Sequence, residues 1–180
     1  MTAPPGPAGS PPAADEIVVR RARTADVRTI RRLVDTYTDD RRLLSKATVT
    51  LYEDVQEFRV AAAPDGTVVG CGALHVMWED LAEIRTVAVD PAYRGRRIGH
   101  RIVGELIDVA RELGVGRIFV LTFETRFFGA FGFAEIDGAP VPQPVYEQLL
   151  RSYDEGVAEF LDLERVKPNT LGNTRMLLRL

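Results

Sequence analysis

The stretch VAVDPAYRGRRIGHRIV, residues 87–103, joins an apolar strand to an amphipathic helix through a turn rich in glycine and arginine. A helix start leaves several backbone N–H groups without partners in the helix, and the helix dipole adds partial positive charge there. Gly95 and Gly99 permit unusual backbone angles and a close ligand approach. Arg94, Arg96 and Arg97 add donors for charge-assisted hydrogen bonds. The stretch predicts an anion site that suits a pyrophosphate, the alternative being a solvated basic helix start.

Other ligand classes are disfavoured by the rest of the sequence. It contains no G-x-x-x-x-G-K-[ST], and this turn lacks G-x-G-x-x-G, which argues against ATP and NAD. The formal net charge of -3 argues against a nucleic-acid-binding protein, which usually carries a basic excess. No apolar run reaches the roughly 20 residues of a membrane helix. A lone cysteine and an N-terminus without signal-peptide features lead us to expect a cytoplasmic protein that binds neither nucleic acid nor membrane.

The remaining chain predicts one domain of mixed secondary structure. Residues 1–15 are almost all Pro, Ala, Gly and Ser, and we expect a disordered tail before a single domain over 16–180. Apolar patterns predict strands at 17–22, 59–63, 67–77, 82–89, 117–123, 134–136 and 174–180. Helical spacing predicts helices at 25–37, with Thr24 as N-cap, and at 46–58, 98–113, 125–133 and 142–153. This order implies a mixed sheet with helices packed on it.

Residues 83–133, EIRTVAVDPAYRGRRIGHRIVGELIDVARELGVGRIFVLTFETRFFGAFGF, resemble the GNAT superfamily of acyl-CoA-dependent N-acetyltransferases. The family's turn is usually [QR]-x-x-G-x-[GA], which places Arg94 first and Gly99 last but finds Arg97 where glycine is usual. The resemblance implies an α/β (α+β) GNAT fold, with a mixed, mostly antiparallel, splayed sheet and helices on both faces. It implies acetyl-CoA as co-substrate and no metal. The implied cofactor-binding residues are Val87, Ala88, Val89, Arg94, Gly95, Arg96, Arg97, Ile98, Gly99, His100 and Phe128.

The resemblance also supplies expectations about the chemistry. Glu83 matches a strand glutamate that many family members use as general base, directly or through a water; the alternative is an ordinary ion pair on an exposed strand. Strict strand alternation places Glu83 and Arg85 on the same face as Val87. A backbone N–H near Val87 is the expected oxyanion donor. Phe128 stands where the family usually has a tyrosine acid, which leaves Tyr146, Tyr153, a water or direct thiolate release.

Several segments, among them VVGCGALHV and VKPNTLGNTRMLLRL, are similar to amino-acid N-acetyltransferases of the N-acetylglutamate synthase type, particularly the short actinobacterial form. That resemblance implies glutamate or glutamine as acceptor, a role in arginine biosynthesis and, by analogy of fold, a possible homodimer. A free amino acid needs cations near the base, so Arg85 and Lys46 are candidate substrate ligands; a salt bridge and a solvated side chain are the alternatives. Asn169, Asn173 and Arg175 either close the acceptor site or form a plain polar loop.

Two further alternatives concern function. The acceptor could instead be a peptide, a protein or another small amine, or the chain could be a non-catalytic acyl-CoA-binding regulatory module, as the missing tyrosine suggests. Cys71 predicts a small buried hydrophobe more strongly than a nucleophile. His75 predicts a satisfied half-buried histidine more strongly than a second base. Scattered histidine and cysteine residues predict no metal site.

Overall fold

The computed structural model describes residues 16–38 and 46–180; the tail predicted for residues 1–15 lies outside them. Seven strands form one sheet in the order β1-β2-β3-β4-β5-β7-β6. The strands are β1 Val18–Arg21, β2 Phe58–Ala62, β3 Val68–Trp78, β4 Leu81–Val89, β5 Arg117–Thr122, β6 Ala134–Glu135 and β7 Thr174–Arg179. Only β4 and β5 run parallel, since every other neighbouring pair is antiparallel. The predicted mixed, mostly antiparallel sheet is confirmed.

The described residues form seven α-helices: α1 Val27–Thr38, α2 Thr48–Glu53, α3 Ile98–Glu112, α4 Thr125–Gly129, α5 Gln143–Leu149, α6 Glu155–Phe160 and α7 Lys167–Thr170. Helices α1 and α2 pack through Val27 and Leu51 on the sheet face that carries Cys71. Helix α3 packs through Ile102 on the opposite face. Helices therefore cover both faces of the sheet, as predicted.

Helix α3 approaches the sheet closely because Gly70 and Gly72 of β3 have no Cβ atom. Its buried residues recur at helical spacing: Ile98, Ile102, Val103, Leu106, Ile107 and Ala110. A Cβ atom at Gly72 would lie 2.8 Å from Cγ2 of Ile102, which is closer than two carbon atoms pack. Gly72 thus allows the helix that follows the arginine turn to seat on β3. Gly114, at φ 80°, ends the helix as predicted.

Several predicted element boundaries need correction. Thr24 is not an N-cap but part of a 3₁₀ turn, Thr24–Asp26, whose start is held by a hydrogen bond from the Arg23 amide to the Asp26 carboxylate (2.7 Å). The helix predicted over 46–58 divides into α2, a 3₁₀ turn at Val55–Glu57 and the first residue of β2. Helices α6 and α7 were not predicted, because the chain after residue 153 shows only short apolar patterns.

Strand β4 leaves its neighbours at the centre of the sheet. It pairs with β5 only where Leu81–Glu83 meet Arg117–Phe119, and beyond these residues the two strands diverge. On its other side, Ala73 of β3 pairs with Arg85 but Cys71 pairs with Ala88, so β4 carries an extra residue, a β-bulge. Thr86 in the bulge has φ 58°. The divergence opens a gap in the sheet, and the bulge changes the face of the sheet on which the following side chains lie.

The bulge corrects one prediction about strand faces. Val87 packs against the α3 side of the sheet, where its Cγ2 lies 3.4 Å from a Cβ built on Gly72. Glu83 and Arg85 occupy the opposite face, beside Asp154 at the start of α6. Strict alternation had put all three on one face. The extra residue inverts the alternation after Arg85, so the base candidate and Val87 lie on different faces of β4.

Candidate active site

A cavity of about 470 Å³ fills the gap between the diverging strands. One wall is β4 from Ile84 to Val89, and the other is β5 from Val120 with the chain that follows it. The arginine turn, residues 94–100, forms the mouth. The cavity therefore runs from an electropositive helix start to the middle of the sheet.

The arginine turn exposes backbone donors to the cavity. Gly95 has φ 78° and Arg97 has φ 58°, and these left-handed residues turn the chain sharply into α3. The first backbone bond of the helix runs from the Arg101 amide to the Arg97 carbonyl (3.1 Å). The amides of Ile98, Gly99 and His100 precede that bond and have no carbonyl of the helix to pair with. This geometry fits the diphosphate site that the sequence predicts.

Arg97 adopts a conformation that is costly for any residue with a Cβ atom. Glycine would reach φ 58° without strain, whereas an L-residue loses roughly 1–2 kcal/mol in this region. The family's usual glycine at this position is therefore replaced by an arginine that keeps the glycine-like backbone. Arg97 thus adds a positive charge to the turn.

The structure places the predicted cofactor residues around this cavity with one exception. The lining residues among them are Val87, Val89, Arg94, Gly95, Arg96, Arg97, Ile98, Gly99, His100 and Phe128. The side chain of Ala88 is the exception, because it is buried in the core between the sheet and α1, and the assignment of Ala88 as a cofactor-binding residue stays a prediction. Ala88 pairs with Cys71 after the bulge and so faces the other way from Val87 and Val89.

Aromatic side chains that the sequence analysis did not single out frame the mouth. The hydroxyl of Tyr37 donates to the carbonyl of Val89, and the guanidinium of Arg94 lies 5.9 Å from the Tyr37 ring centre. The guanidinium of Arg96 lies 5.3 Å from the ring of Tyr93. These cation–π contacts hold the side chains of the two arginines against aromatic rings at the mouth of the cavity. Tyr37 comes from α1, a helix distant in sequence, so no local motif marks it.

Glu83 is buried beneath α6, behind the β4 wall of the cavity. Its exposed fraction is 3%, and its neighbours Ile84 and Arg85 line the cavity. Burial raises the pKa of Glu83 to about 7, against the opposing effect of the positive charge of Arg85, whose Nη1 lies 3.6 Å from Glu83 Oε2. A carboxyl group with this pKa is partly ionised near neutrality and can accept a proton.

Arg85 is held by carboxylates of the protein. Its Nη1 donates to both oxygens of Asp154 (3.0 and 2.8 Å), and its Nη2 lies 3.2 Å from Glu57 Oε2 and 3.4 Å from Asp54 Oδ2. The surface salt bridge considered from the sequence is thus a partly buried network. Lys46 joins it at the edge, with Nζ 3.8 Å from Asp54 Oδ2. Burial, followed by the charge of Arg85, lowers the pKa of Lys46.

The network contains several acids that the sequence analysis missed: Asp54, Glu57, Asp154 and Glu159. Asp154 had a usable signal, because it N-caps α6 by accepting from the Val157 amide (3.1 Å). Glu159 in the same helix is 6% exposed, and burial followed by the charge of Glu83 raises its pKa to about 8. His75 is satisfied and half-buried, as favoured from the sequence, with Nδ1 2.7 Å from Glu57 Oε1.

Two of the predicted proton donors lie away from the cavity. Tyr153 is 99% exposed, and Tyr146 packs against the core around Phe160. Phe128, which replaces the usual tyrosine, is buried at the cavity wall. Cys71 is the small buried hydrophobe that the sequence favoured, since burial raises the pKa of its thiol to about 12 and its Sγ donates to the Thr86 carbonyl (3.6 Å).

Arg175 lies in β7 and ties that strand to two other segments of the chain. Its Nη1 donates to the Gly138 carbonyl (2.8 Å), and its Nη2 donates to the carbonyl of Phe160 at the end of α6. Arg175 therefore anchors α6 over the sheet. In the part of the chain that the structure describes, no group of three or more His, Cys, Asp or Glu side chains is placed to hold a metal ion. No helix in these ranges has the length and apolar character to cross a bilayer.

A split sheet with an arginine-rich helix start at the mouth of the gap and a buried carboxyl group behind its wall is typical of nucleotide-dependent acyltransferases. Residues 26–135 match the model of the Acetyltransferase (GNAT) family, and the chain belongs to that family. It is 65% identical over 163 residues to a Mycobacterium tuberculosis protein named amino-acid acetyltransferase, with 89% of this chain and 93% of that protein covered.

Solved structures agree with the family. A Mycobacterium tuberculosis crystal structure in complex with CoA and NLQ superposes with a TM-score of 0.88 at 65% identity and covers 91% of this chain and 99% of that one. An N-acetylglutamate synthase from Neisseria gonorrhoeae, complexed with coenzyme A and N-acetyl-glutamate, gives a TM-score of 0.74 at 24% identity. That likeness shows the fold, and it covers 91% of this chain but only 35% of the synthase.

Proposed function

We propose that the protein transfers the acetyl group of acetyl-CoA to the α-amine of L-glutamate or L-glutamine. The observation that carries the proposal is the buried carboxyl group of Glu83, with a pKa of about 7, next to Ile84 and Arg85 in the wall of a cavity whose mouth is the arginine turn. The choice of acceptor is supported by the 65% identity to a protein named amino-acid acetyltransferase. We further propose that this reaction belongs to arginine biosynthesis, and that the protein is a cytoplasmic homodimer.

The residues of the cavity suit acetyl-CoA as co-substrate. The amides from Ile98 to His100 and the adjoining arginines bind the diphosphate. Where β4 and β5 diverge, backbone N–H and C=O groups that face the gap have no partner on the neighbouring strand. The amide groups of an extended pantetheine arm can form hydrogen bonds with them. The mostly apolar wall, including Phe128, keeps water from the thioester.

Glu83 acts as general base in this proposal. The amine nitrogen attacks the thioester carbon, a C–N bond forms, and the nitrogen loses a proton to Glu83 directly or through a water. The C–S bond then breaks, and the thiolate leaves and takes its proton from solvent. A backbone N–H near Val87, where β4 bulges away from β3, donates to the developing oxyanion.

The cations near Glu83 have different tasks in the proposal. Because Arg85 is already bonded to Asp154 and Glu57, it orders the carboxylates around the base and keeps Glu83 partly ionised. Among the residues that the structure describes, Lys46 makes a long ion pair with Asp54 at the edge of the network. Lys46 is therefore the residue that we expect to form an ion pair with a carboxylate of the acceptor.

Release of free thiol from acetyl-CoA, measured with each of the twenty amino acids, tests this function. We expect glutamate or glutamine to stimulate release far more than the others. Stimulation only by peptides or other small amines would move the acceptor to a different class. Binding of CoA without turnover on any amine would identify the protein as a regulatory module, the reading favoured by Phe128 in place of the usual tyrosine.

A further inference from the structure

The first turn of α6, residues 155–158, shuts Glu83 off from the cofactor cavity and from solvent. Glu83 is almost fully buried, and it does not line the cavity to which its neighbours Ile84 and Arg85 contribute. A Cβ atom at Gly156 would lie 1.9 Å from Glu83 Oε2 and 3.0 Å from Oε1, so the helix backbone rests on both oxygens. An acceptor amine therefore has no room beside Glu83 while α6 stays in this position.

Of the two elements in contact, α6 is the one that can move. Glu83 lies in the middle of the sheet, where it pairs with His75 of β3 on one side and with Phe119 of β5 on the other. Displacing Glu83 would disturb strand pairing on both sides. Helix α6 has only six residues and rests on the sheet through its side chains.

The C-terminal end of α6 is held by apolar contacts. Phe160 is fully buried, and its ring packs edge-on against that of Phe119, with the ring centres 5.3 Å apart. The carbonyl of Phe160 accepts a hydrogen bond from Nη2 of Arg175. Because burial of a whole aromatic side chain contributes strongly to stability, this end of the helix stays seated on the sheet.

The N-terminal end of α6 is held by an ion pair. Asp154, which caps the helix, accepts hydrogen bonds of 3.0 and 2.8 Å from Arg85 Nη1 and lies 3.5 Å from His75 Nε2. Water replaces partly exposed polar contacts of this kind at a small net cost. The first turn is therefore the part of α6 that can leave the sheet, a movement that exposes Val157 of the apolar cluster around Phe160.

The closed position of α6 leaves buried polar atoms unsatisfied. Glu83 Oε2 lies 3.6 Å from Arg85 Nη1, which is beyond hydrogen-bond distance. Each such atom of the described residues belongs to α6 or to a side chain that contacts the helix or its N-cap: Glu83 Oε2, Arg85 Nε, Glu159 Oε1 and Arg175 Nε. Native proteins keep few such atoms because their desolvation is not compensated. Lifting the first turn opens Glu83 and Arg85 to water, which offsets the exposure of Val157.

We propose that α6 is a movable cover over the general base. Its first turn lifts from Glu83 to admit the acceptor, Phe160 stays as the anchor, and the ion pair between Asp154 and Arg85 is the latch. What the opening admits rests on the proposed function, whereas the opening itself does not. The acceptor then reaches Glu83 from the sheet face opposite α3, while acetyl-CoA occupies the gap between β4 and β5.

Thiol labelling of Val157→Cys measures the opening directly, because the native chain has a single cysteine and Cys71 is fully buried. The new thiol reacts with an aromatic disulfide reagent when the first turn lifts, whereas Cys71 reacts only when the domain unfolds and so reports global unfolding in the same sample. We expect the new thiol to react at least about tenfold faster than Cys71. Val103→Cys, a buried valine of α3, is the matched control, and its new thiol should react as slowly as Cys71.

Asp154→Asn in the Val157→Cys background tests the latch, since asparagine can still cap the helix but loses the charge that meets Arg85. We expect labelling at position 157 to become about tenfold faster, as for loss of a hydrogen bond between charged groups, with Cys71 unchanged. Glu155→Gln removes the neighbouring exposed acid, which pairs with Arg165 at 2.7 Å, and should change the rate less than about twofold. Equal effects of the two substitutions would mean that Asp154 is not the latch.

The acceptor should also speed labelling at position 157, because a ligand that fits only beneath the lifted turn stabilises that position. The probe is glutamate or glutamine, whichever releases thiol from acetyl-CoA; acetyl-CoA alone should have no effect, because α6 does not line its cavity. If the new thiol reacts no faster than Cys71, α6 does not open and the proposal is wrong. If it reacts quickly but a turned-over amino acid leaves the rate unchanged, the turn does not admit the acceptor. A wild-type protein that turns over no amino acid overturns the proposed function, while the labelling still decides whether α6 opens.

Discussion

Replacement of Glu83 by glutamine removes the base but preserves the shape of the site. The wild-type group has a pKa of about 7, so about a tenth of it is ionised at pH 6 and about nine-tenths at pH 8. We therefore expect the wild-type kcat/KM to fall about tenfold from pH 8 to pH 6 through this group alone. Glu83→Gln should lower kcat by about 100- to 10,000-fold, the range of general-base catalysis, and should abolish that acidic limb.

Thiol release at saturating acetyl-CoA, followed from pH 5.5 to 9, measures both effects. Acetyl-CoA affinity, measured by calorimetry, should not change, because Glu83 lies behind the cavity wall and not in it. Glu79→Gln removes an exposed glutamate from the turn that precedes the same strand and provides the control. A Glu83→Gln enzyme that keeps more than a tenth of the wild-type kcat, or the same acidic limb, would refute the reasoning.

Four further substitutions test the site and its effect on stability. Gly156→Ala should reduce turnover at least tenfold without weakening CoA, since its Cβ would lie 1.9 Å from Glu83 Oε2; normal turnover would mean that the carboxyl group moves freely. Gly95→Ala should weaken CoA binding in calorimetry more than Arg97→Gly, because alanine is strained at φ 78° whereas glycine relieves Arg97; the reverse order would give the arginine charge the larger role. The pKa values of Glu83 and Glu159 are raised above 4.5 in the folded state, so the folded state binds more protons than the unfolded state between about pH 5 and 8. The free energy of unfolding should therefore fall as the pH rises through this range. Glu159→Gln should flatten that fall in thermal denaturation, and an unchanged slope would contradict it.

The cofactor half of the site could be predicted from sequence because it is local. Strand end, turn and helix start are contiguous from residue 87 to 103, and the glycine positions mark the backbone angles that the structure adopts at Gly95. The apolar spacing of α3 identifies its buried face. The prediction that Glu83 and Val87 share a face was wrong, since strand alternation does not anticipate an extra residue in the ladder.

The acceptor half could not be predicted in the same way. Arg85 meets Asp154 across 69 positions of chain, and no periodic pattern links them. Helix α6 has only six residues, too few for its spacing to stand out, and Glu159 is an acid at a buried position that hydrophobic patterning marks as solvent-exposed. Such a residue becomes visible only when tertiary contacts show what covers it.

The short seam between β4 and β5, three residue pairs long, joins two ladders that share the hydrophobic cluster under α3 but contact different clusters on the opposite face of the sheet. We therefore expect substitutions beneath α6 to change the packing around Phe160 and Leu177 while the packing around Val27 and Leu51 beneath α1 and α2 is preserved. In such a fold the site for the acceptor can change while the site for acetyl-CoA is preserved.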